Sequence, residues 1–175
     1  MKLIKKLRKI IKKKILKVLF ICMGNTARSP VAEYLAKGLK EQFKEDLKDV
    51  TFDSAGFFNA FSYMQPESRS YLHSKKIDDS DFRPKVIDRT LLEKADLILT
   101  MEDSHSLDIK RTYGNVKDID KKTYTLKEFS GEVKNLDIID PYYTSSNFYA
   151  KILEIINKYV ELAVKKIIQI NNRVS

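Results

Sequence analysis

A cysteine and an arginine lie six positions apart in a short polar stretch, CMGNTARSP at residues 22–30. The thiolate of a cysteine is a strong nucleophile, and the planar guanidinium of an arginine matches two oxygens of a phosphate group. Gly24 and Asn25 tolerate the left-handed backbone of a tight turn, which can point successive N–H groups inward. The spacing therefore predicts a loop that holds an anion over Cys22. The alternative is that Cys22 is a small buried hydrophobic residue at the end of a strand.

This loop needs a strand before it and a helix after it. Four apolar residues at 18–21 predict a short buried strand, and the chain from Val31 onward predicts a helix. Ser29 is the predicted N-cap, Pro30 suits the first helical position, and Glu33 suits the first turn. Cysteines at helix N-termini beside cations favour the thiolate, so these elements would activate Cys22.

The rest of the chain alternates strands with helices. Further strands are predicted at 50–54, within 94–101 and at 123–126, and helices at 31–44, 66–76 and 145–170, with loop and a short helix at 102–113. This order predicts an α/β fold, a three-layer αβα arrangement with a short parallel sheet of about four strands and helices on both faces. In such folds the ligand site lies beyond the carboxyl ends of the strands. The predicted site therefore combines residues 22–29, 54–56 and 102–103 with the loop that contains Asp140.

Asp140 is the predicted general acid for a phosphate ester bound over Cys22. It would protonate the departing oxygen while the thiolate attacks phosphorus, and would then activate the water that cleaves the intermediate. The alternative is that Asp140 and Pro141 only begin a turn before the last helix. Asp137 is close enough in the sequence to be the second candidate acid.

Three motifs together resemble the low-molecular-weight protein tyrosine phosphatases: CMGNTARSP, DSAG at 53–56 and DPYY at 140–143. The resemblance extends from about Lys17 to the C-terminal helix. It implies hydrolysis of a phosphorylated protein, most of all at phosphotyrosine, through a phosphocysteine on Cys22, without a metal or a cofactor. It also implies that Arg28 binds the phosphoryl group, that Asp140 is the acid and base, that the Ser29 hydroxyl supports the thiolate in addition to capping the helix, and that Ser54 supports the loop. The substrate-binding residues it implies are Met23, Gly24, Asn25, Thr26, Ala27, Ser29, Tyr142 and Tyr143. Phe57 or Phe58 is a candidate for the opposite wall, with packing in the core as the alternative.

The residues around the predicted site do not agree on one substrate, phosphotyrosine or phosphoarginine. A threonine at the position of Thr26 resembles the protein-arginine phosphatases of the family, as does TLKEF at 125–129, whereas Tyr142 and Tyr143 resemble the tyrosine phosphatases. More distant alternatives are an arsenate reductase that uses an external thiol, and a non-catalytic anion-binding or membrane adaptor.

Two positions depart from the family pattern. Ala27 replaces a second cysteine of many members, and Phe82 replaces a histidine that helps to hold the loop asparagine.

The net charge of +9 is confined to one end of the chain. Residues 1–17 contain nine Lys or Arg and no acidic residue, which leaves 24 basic and 24 acidic residues in the remainder. This distribution excludes a basic nucleic-acid-binding face spread over the domain. Residues 1–16 are a predicted basic amphipathic extension, with Leu3, Ile4, Leu7, Ile10 and Ile11 at helical spacing, and residues 17–175 are the predicted phosphatase domain.

The extension predicts binding to an anionic membrane surface or to an acidic partner. The alternatives are a solvated tail and a tail packed on its own domain. The single cysteine excludes a disulfide framework and fits a reducing compartment, so we expect a cytoplasmic protein, peripheral at the membrane if the extension binds lipid. His73 and His105 show no metal-ligand spacing and are both predicted to be surface residues.

Overall fold

Four parallel strands form the centre of the computed structural model, which describes residues 13–174. They are β1 (Lys17–Cys22), β2 (Thr51–Gly56), β3 (Leu97–Thr100) and β4 (Thr123–Thr125), in the spatial order β2-β1-β3-β4. The register places Cys22 opposite Gly56, so the ends of β1 and β2 meet at one edge of the sheet. The predicted parallel sheet is confirmed.

Helices follow the strands. They are α1 (Ser29–Gln42), α2 (Lys44–Leu47), α3 (Pro66–Ser74), α4 (Arg89–Lys94), α5 (Asp103–Thr112), α6 (Ile119–Lys122), α7 (Leu126–Ser130) and α8 (Ser146–Val174). Sequence periodicity missed α2, α4, α6 and α7, because four to six residues are too few to show a helical period. None of the described helices, which lie within residues 13–174, has the length and apolar character needed to cross a bilayer.

Two hydrophobic cores lie on opposite faces of the sheet. Alternate residues of β1 point to opposite faces, so Val18 and Phe20 pack in the core that contains residues of α1 and α8. Leu19 and Ile21 pack in the second core, which includes Leu92 of α4 and Ile109 of α5. The sheet is therefore covered on both sides, and the three-layer αβα prediction is confirmed.

The segment before β1 is bound to the domain. Ile15 is buried, its N–H donates to Asn171 Oδ1 at 2.7 Å, and its carbonyl accepts from Asn171 Nδ2 at 2.8 Å. The N–H groups of Leu16 and Lys17 both donate to Asp96 Oδ2 at 3.0 Å. Within the predicted extension, Lys13, Ile15 and Leu16 thus contact the fold. Residues 1–12 lie outside the described residues, and the domain boundary after residue 16 stays a prediction.

Candidate active site

The loop between β1 and α1 carries the reactive residues. Cys22 is the last residue of β1, and its Sγ lies 3.0 Å from Ser29 Oγ. Asn25 adopts a φ of 51°, the left-handed conformation that the turn requires. Gly56 lies directly under the loop, where a Cβ would come within 2.7 Å of the Asn25 nitrogen. The glycine of the DSAG motif therefore lets β2 approach the loop closely.

Ser29 is not the helix cap that its position predicts. Arg28 occupies the N-cap position and Ser29 is already in α1, where its hydroxyl accepts from Asn25 Nδ2 at 3.0 Å. The hydroxyl contacts the Cys22 sulfur at 3.0 Å and lies 3.4 Å from the Ala55 carbonyl, so its proton can serve either acceptor. The prediction was wrong because the hydroxyl contacts the loop instead of the first turn of the helix.

Asn25 connects the loop to the sheet. Its Nδ2 donates to Ser54 Oγ at 2.8 Å, and its Oδ1 accepts from the Lys85 N–H at 2.9 Å. Ser54 Oγ in turn donates to Glu33 Oε2 at 2.5 Å, and Lys37 Nζ donates to Glu33 Oε1 at 2.6 Å. A continuous set of hydrogen bonds thus runs from the nucleophile to the outside of α1.

Glu33 was expected only to favour the first turn of the helix, but its carboxylate is buried under the loop. Burial raises the pKa of Glu33, and the hydrogen bonds from Lys37 and Ser54 act in the opposite direction. The i,i+4 spacing of Glu33 and Lys37 was a signal in the sequence for this pair. Phe82 packs edge-on against Tyr34, so it does not replace the missing histidine as a partner of Asn25.

Arg28 is a buried cation held between two carboxylates. Its Nη1 donates to Glu102 and to the Ile138 carbonyl at 2.7 Å, and its Nη2 donates to Asp140 Oδ2 at 2.7 Å. Burial opposes the charge of Arg28, but Cys22, Asp140 and Glu102 outweigh this and raise its pKa. Arg28 Nε has no hydrogen-bond partner among residues 13–174.

Asp140 lies at the mouth of the site and Asp137 does not. Asp140 accepts from Arg28 with one oxygen and from the Tyr142 N–H with the other at 3.0 Å, and its side chain is 44% exposed. Asp137 instead accepts from the Asp103 N–H at 2.7 Å, at the start of α5. The structure therefore brings the first candidate acid, and not the second, into contact with Arg28 and into the cavity that Cys22 lines.

Cys22, Arg28 and Asp140 line one cavity of about 270 Å³. Of the predicted substrate-binding residues, Met23, Gly24, Thr26, Ala27, Tyr142 and Tyr143 line the same cavity. Asn25 and Ser29 are fully buried and absent from that lining, behind the loop.

Aromatic residues surround the mouth of this cavity. Phe58 lines it, whereas Phe57 packs against His105 with ring centroids 5.4 Å apart. Phe61 was not predicted from the sequence, but it lines the cavity and packs on Tyr142 at 5.7 Å between centroids. A single aromatic residue in a loop belongs to no sequence pattern, so its position at the cavity could not be predicted.

The surface position predicted for His105 was wrong. His105 is 1% exposed on α5, because residues 103–112 form a helix whose inner face packs on the sheet. His73 has a half-exposed side chain and contacts Asp79 Oδ1 at 2.8 Å. Within residues 13–174, no group of three or more His, Cys, Asp or Glu side chains could hold a metal ion.

A cysteine and an arginine in a loop between a parallel strand and a helix, with a carboxylate beside them, define a site suited to cysteine-dependent phosphoryl transfer. The model of one family, described as low molecular weight phosphotyrosine protein phosphatase, matches residues 17–172. The chain belongs to this family, and the resemblance seen in its motifs is confirmed.

Two curated relatives differ in the substrate that their names state. The low molecular weight protein-tyrosine-phosphatase PtpB of Staphylococcus haemolyticus is 31% identical over 79% of this chain and 91% of its own length. The protein-arginine-phosphatase of Bacillus subtilis is 34% identical over 75% of this chain and 83% of its own length. A solved low molecular weight protein tyrosine phosphatase from T. tengcongensis is 33% identical with a TM-score of 0.76, covering 86% of this chain and 99% of that one.

Proposed function

We propose that this protein hydrolyses phosphate monoesters of proteins, phosphotyrosine above all, through a phosphocysteine on Cys22. The observation that carries the proposal is the meeting of Cys22, Arg28 and Asp140 in one cavity, although Arg28 and Asp140 are 112 positions apart. The thiolate forms the S–P bond as the P–O bond to the leaving group breaks, and Asp140 protonates the departing oxygen. Water then attacks phosphorus, Asp140 takes its proton, and the thiolate and inorganic phosphate are released.

Arg28 provides the charge that this reaction needs at phosphorus. Its Nε has no partner among the described residues and its Nη2 donates one of its two N–H groups to Asp140, so a phosphate can bind both nitrogens. The partly exposed Asp140 side chain can move toward the leaving group when this happens. Because the guanidinium and loop N–H groups bind the phosphate, turnover of an aryl phosphate should continue in a chelator.

Asp140→Asn tests the acid and base role. We expect kcat to fall about 10²- to 10⁴-fold, because asparagine cannot transfer the proton. The loss should be smaller for p-nitrophenyl phosphate than for a phosphotyrosine peptide, since nitrophenolate leaves without protonation. Phosphocysteine should accumulate and be detectable by mass spectrometry after acid quench. An equal loss with both substrates, without any intermediate, would contradict the role.

The walls of the cavity suit an aromatic leaving group. Phe58, Phe61 and Tyr142 present ring surfaces around the mouth, and aromatic rings gain from packing on one another. Thr26 also lines the cavity, with a hydroxyl that favours a more polar substrate. Together with the arginine phosphatase among the relatives, this supports protein-arginine phosphatase activity as the second candidate.

Thr26→Ile should raise the ratio of kcat/KM for a phosphotyrosine peptide over a phosphoarginine peptide by about tenfold. A larger apolar side chain improves contact with a phenyl ring and removes a polar group from the phosphoarginine site. Thr26→Val is the matched control, because it removes the hydroxyl at nearly constant volume. If neither variant changes the ratio, Thr26 does not determine the substrate.

We further propose that the basic extension binds anionic membrane surfaces. A deletion should remove residues 1–12 only, because Lys13 pairs with Asp96 and Ile15 is buried in the core. We expect the deletion to abolish binding to vesicles containing phosphatidylserine and to leave turnover of a small aryl phosphate unchanged. Binding by the full chain should weaken with added salt. Replacing Lys2, Lys5, Lys6 and Lys9 with glutamine is the matched charge control, and undiminished vesicle binding by the deletion variant would reject the proposal.

A further inference from the structure

His105 is a buried titratable group that the proposed mechanism does not use. Its side chain is 1% exposed and packs against the ring of Phe57. Neither of its ring nitrogens has a hydrogen-bond partner within residues 13–174. A buried polar group without a partner costs free energy, so an imidazole kept in such a place calls for an explanation.

Its nearest charged neighbour is the carboxylate that holds Arg28. His105 Nε2 lies 3.8 Å from Glu102 Oε1, slightly beyond hydrogen-bond distance, and the same oxygen accepts from Arg28 Nη1. Glu102 is 29% exposed at the N-cap position of α5, so its side chain has room to shift. A movement of about 1 Å would bring it within hydrogen-bond distance of the imidazole.

We propose that His105 is a positioning residue that controls anion binding by Arg28 through Glu102. Neutral His105 leaves Glu102 bound to Arg28, whose charge is then shared with two carboxylates. Protonated His105 attracts Glu102 and frees the guanidinium for the anion. The inference rests on the proposed function only in taking Arg28 as the anion-binding group.

The charges around His105 determine the sign of this effect. Burial and the Arg28 cation lower the pKa of His105, and the carboxylates of Glu102, Asp108 and Asp137 raise it, with a net lowering. His105 is therefore neutral at pH 7 and becomes protonated as the medium turns acidic. We expect anion binding to strengthen as the pH falls.

Sulfate is the probe for this test, because its charge stays constant between about pH 4 and pH 8, a range that extends well below the ordinary pKa of histidine. Inhibition constants for sulfate would be measured across this range with the full chain and with His105→Gln, whose amide does not titrate. Asp140 and Cys22 are present in both proteins, so the difference between the profiles reports His105. As the pH falls across this range, the affinity for sulfate should rise at least about fivefold more in the wild-type protein than in His105→Gln. Parallel profiles would overturn the proposal.

Glu102→Gln distinguishes a relay from a structural role. If His105 acts through the carboxylate, adding His105→Gln to Glu102→Gln should not change the sulfate profile further. If His105→Gln shifts the profile equally in both backgrounds, the relay is wrong. Thermal unfolding of each variant shows whether a change in affinity reflects a loss of the fold.

A spectroscopic measurement is independent of turnover. His73→Gln leaves His105 as the only histidine, so its imidazole resonance can be titrated by NMR without assignment. Saturating sulfate should raise its titration midpoint, because linkage requires the coupling to be reciprocal. In Glu102→Gln this shift should collapse, whereas a purely through-space effect of the anion would persist and overturn the proposal. A protein that binds sulfate with this coupling but never turns over a phosphate ester would refute the phosphatase function alone.

Discussion

Replacing Cys22 with serine should lower kcat by about 10⁴-fold or more, the largest effect expected of any single substitution in this chain. A hydroxyl remains protonated where a thiol ionises, and it needs an adjacent base to become a nucleophile. The polar side chain within 3.0 Å of Cys22 Sγ is the hydroxyl of Ser29, which is not such a base. Single-turnover kinetics with a phosphotyrosine peptide would measure the loss.

The control for this variant is binding without turnover. Sulfate should still bind to Cys22→Ser, because Arg28 and the loop N–H groups are unchanged. Ser29→Ala is the matched variant, since it removes the hydroxyl beside the sulfur and keeps the nucleophile. We expect its kcat/KM to fall about tenfold, which corresponds to the usual contribution of one hydrogen bond to a charged group. Turnover that survives in Cys22→Ala, whose side chain has no nucleophile, would mean that the nucleophile lies elsewhere.

Arg28→Lys should lower kcat/KM for a phosphotyrosine peptide by about 10³-fold, the second largest effect. Lysine keeps the positive charge but has one nitrogen, so it cannot contact Glu102, Asp140 and two phosphate oxygens together. Arg28→Ala should lose at least as much and should also lower the free energy of unfolding. That variant leaves the carboxylates of Glu102 and Asp140 facing each other without the cation between them. Both carboxylates are partly exposed, so water limits this second cost.

Glu102→Gln is the matched control for Arg28, since it changes a partner of the guanidinium and leaves the guanidinium in place. Any loss of kcat/KM should be well below that of Arg28→Lys, because Asp140 and the Ile138 carbonyl still hold the side chain. Its affinity for sulfate should not fall, because one carboxylate that competes for the guanidinium is gone. The comparison needs kcat and KM separately, with sulfate affinity as the measure of anion binding. If Arg28→Lys binds sulfate and turns over substrate as the wild type does, bidentate recognition by Arg28 is not required.

Much of the fold was predictable from the sequence. The buried strand before Cys22, the helix after Pro30 and the long C-terminal helix follow from apolar periodicity and from Pro and Gly positions. Helices of four to six residues, such as α4 and α7, were missed because they are too short to show a helical period. The parallel direction of the strands was predicted from their alternation with helices, because a helix that connects two strands of one sheet returns the chain to the same end of the sheet.

The sequence by itself determined which chemistry is available here: one cysteine, an arginine six positions later and a loop whose residues accept a tight turn. Those features depend on neighbouring residues, whose geometry the covalent chain restricts directly. Only the tertiary structure decided that Glu102 and Asp140 both bind Arg28, and that His105 lies buried beside Glu102. These contacts join residues from separate loops and helices, and a side chain's direction there depends on the packing of the two cores, which local spacing does not specify.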